Sequence, residues 1–324
     1  MKNNYLALLF MVLPFFALSQ INVEGLNDDD KAKIKALQER NAAASDTIWK
    51  FGGSAGLNFS QAYFSNWASG GQNSVSGTAF GSAFAKYAKG RHSWDNSIDL
   101  AYGMLAQGDN DPIKTDDKID LNSKYGFQLK NPDWYYSALL NFRSQFAPGY
   151  EIVDGVETGQ SISDFLAPAY TILSLGMDYK PNDNFSALIS PLTSKITIVT
   201  IDRLATDYGL EEGENTRFEV GAFVKLTYQK DVFENVNLLT RIDLFSNYAN
   251  NPENIDINWE TLISMKVNSW LSASISTQII YDDDIMIITQ AEQRGPDDEI
   301  LVVEERGPRT QFKEVFSLGL SVNF

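Results

Sequence analysis

The chain has 324 residues, no cysteine, one histidine and a formal charge of −16, from 42 acidic and 26 basic side chains. The lack of thiols excludes disulfides, thiolate metal sites and a cysteine-linked lipid anchor, and the acidic balance argues against nucleic acid as a partner. A mean hydropathy of −0.22 suits a water-soluble protein, but equally a membrane barrel, in whose strands every second residue is polar.

After Lys2, residues Tyr5 to Leu18 are nearly all apolar, and Ala17-Leu18-Ser19-Gln20 supplies small residues around a cut after Ser19. This pattern predicts a signal peptide over 1–19. The run is too short to cross a bilayer as a helix. Residues 20–47 read as a periplasmic arm, with a short helix through KAKIKALQERNAAA capped within Asn27 to Asp30. Its apolar stripe, Ile34 and Leu37, is thin, which fits a mobile arm, a plug or a docking helix for a partner.

From residue 48 to 324 the apolar period becomes two, the spacing of a strand with one apolar face. Trp49, Phe51, Gly53, Ala55, Leu57 and Phe59 line the first strand, and Ser74 to Tyr87 form the second. The third carries Trp94, Ile98, Leu100, Tyr102 and Met104. The fourth sets Ile119, Leu121, Tyr125 and Phe127 against Lys118, Asp120 and Lys124, and the fifth sets Trp134, Tyr136, Leu140 and Phe142 against Asn141 and Arg143. A sixth runs over Ala169 to Lys180. The seventh, within Phe185 to Ile201, is irregular, because Pro191 implies a bulge or a strand end. The eighth has Arg217, Glu219 and Lys225 on its polar face, the ninth Arg241 and Asp243, the tenth Glu260 and Lys266, and the eleventh a row of serines.

The twelfth and last strand places Phe316, Leu318, Leu320, Val322 and Phe324 on one face and Ser317, Gly319, Ser321 and Asn323 on the other. An amphipathic strand left at a free edge invites aggregation; pairing with strand one would abolish the edge. Connections alternate short and long, and aromatic residues gather near strand ends, as interfacial girdles do. The expected fold is all-β: a transmembrane up-and-down antiparallel barrel of about twelve strands with both termini periplasmic. The terminal strand resembles the C-terminal signal of outer-membrane barrels, and that resemblance implies recognition by the barrel-assembly machinery, with outer-membrane lipid and lipopolysaccharide as surroundings. Strand two has a small apolar face, Val75, Gly77, Ala79, Gly81, Ala83 and Ala85, against which another outer-membrane protein or the arm would pack. Glycines within strands, such as Gly52 and Gly56, let backbones or aromatic rings approach closely.

The acidic excess lies in the long loops, including Gly108 to Asp117, which holds Asp109, Asp111, Asp116 and Asp117 with one lysine. Asp282 to Gly307 alone carries nine acids and two bases, which implies a negative outer mouth that concentrates cations. Asp282, Asp283 and Asp284 are weak candidates for a divalent ion, without the spacing of a metal loop. Lys118, Asp120, Lys124, Arg143, Arg217, Glu219, Lys225, Arg241, Asp243, Glu260 and Lys266 are expected in the lumen. Their mixed signs fit either a water-filled pore or salt bridges that close it. His92 lies at a short turn, and adjacent Ser93 points to the opposite face, so no Ser-His-acid site is indicated. No cofactor is expected.

The run Asn58 to Ser74, with Asn66-Trp67-Ala68-Ser69-Gly70-Gly71-Gln72 at its centre, together with Ser93-Trp94-Asp95-Asn96 and Leu100-Ala101-Tyr102-Gly103, resembles a bacterial family catalogued as domain of unknown function 3078. The resemblance implies a location and no chemistry. Asn66, Trp67 and Gln72 are candidates for a glycan or partner site at the first long loop. The expected function is a passive channel for small polar or cationic solutes. The alternatives are a closed barrel serving as scaffold subunit of an outer-membrane complex, and a surface hydrolase using loop carboxylates.

Overall fold

The computed structural model describes residues 48–63, 72–153, 156–294 and 300–324. The signal peptide and arm, and Asn66 and Trp67, lie outside them. Twelve strands form one closed antiparallel barrel. They are β1 (Trp49–Ala62), β2 (Ser74–Lys89), β3 (His92–Gln107), β4 (Ile113–Gln128), β5 (Trp134–Ser144), β8 (Ala169–Asn182), β9 (Phe185–Ile198), β10 (Thr216–Phe233), β11 (Val236–Asn247), β12 (Ile255–Lys266), β13 (Leu271–Tyr281) and β16 (Gln311–Asn323). Two hairpins stand outside the wall: β6 (Gly149–Val153) with β7 (Val156–Ser163), and β14 (Ile287–Arg294) with β15 (Ile300–Gly307). Each barrel strand pairs with its neighbours in chain order, and β16 closes the ring on β1.

The alternation read from the sequence sorts the side chains. Phe51, Phe59, Leu175, Phe218, Phe316 and Leu320 all point outward, and Phe51 and Phe316 are 72% and 67% exposed. In water each such side chain would forgo roughly 1.5–3 kcal/mol of burial, so a continuous belt of them is a lipid-facing surface. At the short-turn end the belt finishes in aromatic contacts: Trp49 lies 5.2 Å from Tyr87 and 5.8 Å from Trp94, and Trp134 lies 4.8 Å from Tyr179. His92 belongs to this rim; its Nδ1 is 2.5 Å from the Tyr125 hydroxyl and its ring packs on Phe127.

Two details of the wall bear on its lining. The loop after β3 is shorter than its run of acids suggested: β4 begins at Ile113, so Asp116 and Asp117 belong to the wall. In β9 the register shifts between Ser190 and Thr193 against β10 and between Ile189 and Leu192 against β8, the bulge that Pro191 implied. Ser190 Oγ lies within hydrogen-bond reach of the Leu175 and Leu192 carbonyls (2.8 and 2.9 Å), to one of which it donates, and Thr193 Oγ1 lies 2.8 Å from both Ser190 Oγ and Ser174 Oγ. These hydroxyls occupy polar groups that the broken ladder would leave open.

Glycines make room on the inner face. A Cβ on Gly56 would strike the Phe80 ring and one on Gly52 the Phe84 ring, so two large lumenal rings lie across the glycines of the adjoining strand. A Cβ on Gly176 would run into the Ile189 carbonyl and Ser190 Cα, the backbone of the β9 bulge. Gly176→Val is therefore expected to lower stability by about 1–3 kcal/mol through overpacking. Gly81→Val, whose Cβ meets open space, should change little. Urea titration of the barrel folded in lipid vesicles, read by gel mobility without heating, checks the contrast.

Candidate functional site

The lumen is built in two unlike halves. On the β5–β11 side, inward Leu139, Ile172, Leu188, Phe223 and Phe245 form a buried apolar cluster, so that half is packed as a core. On the other side, β12, β13, β16, β1 and β2 present small hydroxyls, among them Ser264, Ser272, Ser274, Ser276, Ser317, Ser321, Ser54, Thr78 and Ser82. Small side chains cannot fill a barrel of this width. What remains is a cavity of about 1690 Å³, lined from the short turns at Asn184, Asn235 and Asn268 up to Asp116 and Lys313 near the mouth.

Charged side chains bind the halves together in tiers. Nearest the short turns, Lys124 reaches Asp178 (2.6 Å) and Lys180 reaches Asp95 (3.1 Å). At mid-height Asp120, 1% exposed, accepts from Arg143 Nε (3.2 Å), Asn141 Nδ2 (2.8 Å) and Asn122 Nδ2 (2.9 Å). The same Arg143 donates through Nη2 to Asp243 (2.7 Å), which also receives Lys225 (2.8 Å). Two further pairs cross the full width. Lys118 on β4 meets Glu260 on β12 at 3.1 Å, and Arg241 on β11 meets Asp99 on β3 at 3.1 Å. In both cases the strands stand six places apart in a ring of twelve. Near the mouth Lys195 binds Asp256 (2.5 Å) and Asp282 (2.8 Å), while Arg217 binds Glu219 (3.0 Å) and Asp284 (2.8 Å).

Ten of the eleven expected lumen residues therefore pair with one another or with a further charged side chain inside the barrel. Lys266 lies exposed at the short-turn end of the cavity. The sequence reading does not single out Asp95, Asp99, Asp178 and Lys180, although the alternation of β3 and β8 places them on the polar face. Lys195 is hidden from it by the bulge, which moves the inward set from Leu188 and Ser190 to Thr193 and Lys195.

The mouth differs from a bare acidic rim. Asp282 turns to Lys195, Asp283 accepts from Asn254 Nδ2 (2.7 Å) and Asp284 turns to Arg217. Three carboxylates with three separate partners do not converge on one ion. The β9–β10 connection holds a 3-10 helix, Asp202–Tyr208, whose Leu204 and Ala205 bury against Ala167, Val199 and Leu210. Arg203 donates to the Ser161 carbonyl and Tyr208 to the Ile162 carbonyl (3.1 Å) on β7, while Arg306 on β15 pairs with Asp207 (2.6 Å). Burial and the Asp207 carboxylate push the Tyr208 hydroxyl up to about 12, so it stays protonated and donating across the physiological range. Gln72 is exposed at the base of the first long loop. Phe316, Leu318, Leu320, Val322 and Phe324 all lie half or more exposed on the outer wall.

Residues 59–150 match the model of a family described as "Protein of unknown function (DUF3078)", so the resemblance read from the sequence holds over that segment. Among solved structures the chain is similar to an outer membrane channel from Pseudomonas putida F1, at 12% identity over 85% of this chain and 94% of that one, with a TM-score of 0.35. It is also similar to the translocator domain of the autotransporter NalP from Neisseria meningitidis, at 10% identity over 91% of this chain and 98% of that one, TM-score 0.30. Salmonella typhi OmpF, in complex with daunomycin, matches at 12% identity over 85% of this chain and 97% of that one, TM-score 0.26. No curated protein matches the chain.

Removing one member of a buried charge network strands the others. Asp120→Ala, which removes the acceptor of Arg143 Nε and one of the three acceptors around Asn141 Nδ2, is expected to lower stability by about 3 kcal/mol. Lys266→Ala should stay within about 0.5 kcal/mol. Urea midpoints of the two variants in the same vesicles decide between them.

Proposed function

We propose that the protein is an outer-membrane channel of low conductance for small polar solutes, with ion pairs spanning its lumen as the restriction. The observation that carries this reading is the hydroxyl-lined cavity, which extends from the short turns toward the mouth and is crossed by Lys118–Glu260 and Arg241–Asp99. Outer-membrane placement is supported by the closed strand topology and the lipid-facing belt.

The charge of the cavity favours weak selectivity over the cation preference that the acidic loops implied. Lys86, Lys118, Lys124, Arg143, Lys180, Lys225, Arg241, Lys266 and Lys313 line it alongside Asp95, Asp99, Asp116, Asp117, Asp183, Asp231 and Glu260. Neither sign dominates, and selectivity in a pore follows the rings of charge that line it. The packed half of the lumen lends weight to a second reading, the closed barrel of a larger assembly.

Planar-bilayer recording separates the two. The wild type is expected to give a small, steady, weakly selective current. Asp99→Asn with Glu260→Gln, which releases both full-width bridges, should raise it about twofold or more. Neutralising Asp282, Asp283 and Asp284 should alter selectivity little, because none of the three lines the cavity. A silent bilayer with verified insertion for both the wild type and the double variant would overturn the channel and leave the structural subunit.

A further inference from the structure

We infer that the barrel wall has a lateral portal at the β1–β16 seam, through which a single-chain amphiphile exchanges between the bilayer and the lumenal cavity. β1 pairs with β2 over fourteen residues, from Trp49↔Tyr87 to Ala62↔Ser74. Its other edge pairs with β16 over five, from Ser54↔Asn323 to Asn58↔Gly319, extended downward by the Gly53 and Phe324 backbone bonds. Continuing that register would set Phe59 against Leu318 and Ser60 against Ser317. Among the described residues those pairs are not formed, while β16 stays fully paired to β13 from Leu320 to Gln311. The seam is therefore joined near the short turns and open toward the long loops.

The opening lies beside the cavity. Asn58 on one edge and Lys313, Val315 and Ser317 on the other all line it. Outward from the same edges stand Phe59 and Phe316, exposed to lipid. Unpaired strand edges at this depth leave N–H and C=O groups without water, a cost of several kcal/mol per group in hydrocarbon. A polar head supplying donors and acceptors relieves that cost, the hydroxyl of Ser317 and the amide of Asn58 extend its site inward, and an apolar chain rests on the phenylalanines. An amphiphile with one acyl chain meets all three demands. Over the top of the cavity, Lys313 bridges to Asp116 on β4 at 2.6 Å, which ties β16 to the facing wall beside the seam.

The portal is separate from the axial passage proposed above, and the test keeps them apart. The chain has no cysteine, so Ser60→Cys with Ser317→Cys gives a unique pair to staple with a short bis-maleimide. The full-length protein in phospholipid vesicles is photolabelled with a diazirine analogue of palmitic acid, and adducts are mapped by mass spectrometry. Adducts are expected on inward Val315 and Ser54 as well as on outward Phe316. Stapling should remove the inward adducts and spare the outward ones. Labelling confined to the outer face would overturn the portal. Inward labelling that survives stapling would show axial entry and overturn it as well. Chain-to-chain crosslinks through the thiol of the Ser60→Cys variant would mean that a second strand fills the seam, and the amphiphile proposal would fail. Conductance recorded on the stapled protein tests the axial channel independently: unchanged current with lost inward labelling separates the two routes.

Discussion

A backbone in hydrocarbon must satisfy its hydrogen bonds within the protein, and the whole molecule follows from that demand. A sheet meets it only by closing. Closure fixes an outside and an inside, and the two-residue period then assigns each side chain to lipid or lumen. Phe316, Leu318 and Leu320 show the rule on β16: they face outward, while Ser317, Gly319 and Ser321 face in. The chemistry of the lumen is thus the remainder left when the lipid face has been chosen.

That remainder is divided by side-chain volume. Where strands carry Leu188, Phe223 and Phe245 inward, the interior packs as the core of a soluble protein does. Where they carry mostly serines and glycines, space stays open. Charges tie the packed wall to the open one. Buried ion pairs of this kind contribute little net stability, because desolvation offsets their attraction. Their contribution is geometric: each pair sets the separation of two facing walls, and so the width of what lies between them.

Strand number, strand order and the facing of nearly every wall residue were readable in the sequence, because periodicity two leaves one choice per strand. Lys118, Glu260 and Arg241 were placed in the lumen on that basis alone. The reading failed where periodicity says nothing. It missed Lys195, since a bulge flips the face after Pro191. It placed Asp116 and Asp117 in a loop, since a run of acids looks solvated whichever face it occupies. Most of all, it gave Asp282 and Asp284 a free field at the mouth. Their partners, Lys195 and Arg217, come from strands 87 and 67 residues away in the chain, and no local pattern reports pairings over that distance. The five-residue seam between β1 and β16 was hidden for a similar reason: amphipathic strands predict that an edge is paired, not how far.

The ion pairs across the lumen also bear on how the barrel is assembled. Lys118 and Glu260 are 142 residues apart, as are Asp99 and Arg241. Each link joins opposite sides of the ring, so none can form in an open sheet, however many hairpins it already holds. They make no contribution until the wall has curled and β16 has met β1. Contacts of such long sequence separation form late and favour slow, cooperative folding. Until then, an unclosed sheet would carry its ammonium and carboxylate groups unmatched on one face. Unmatched charges of this kind are costly to hold in hydrocarbon.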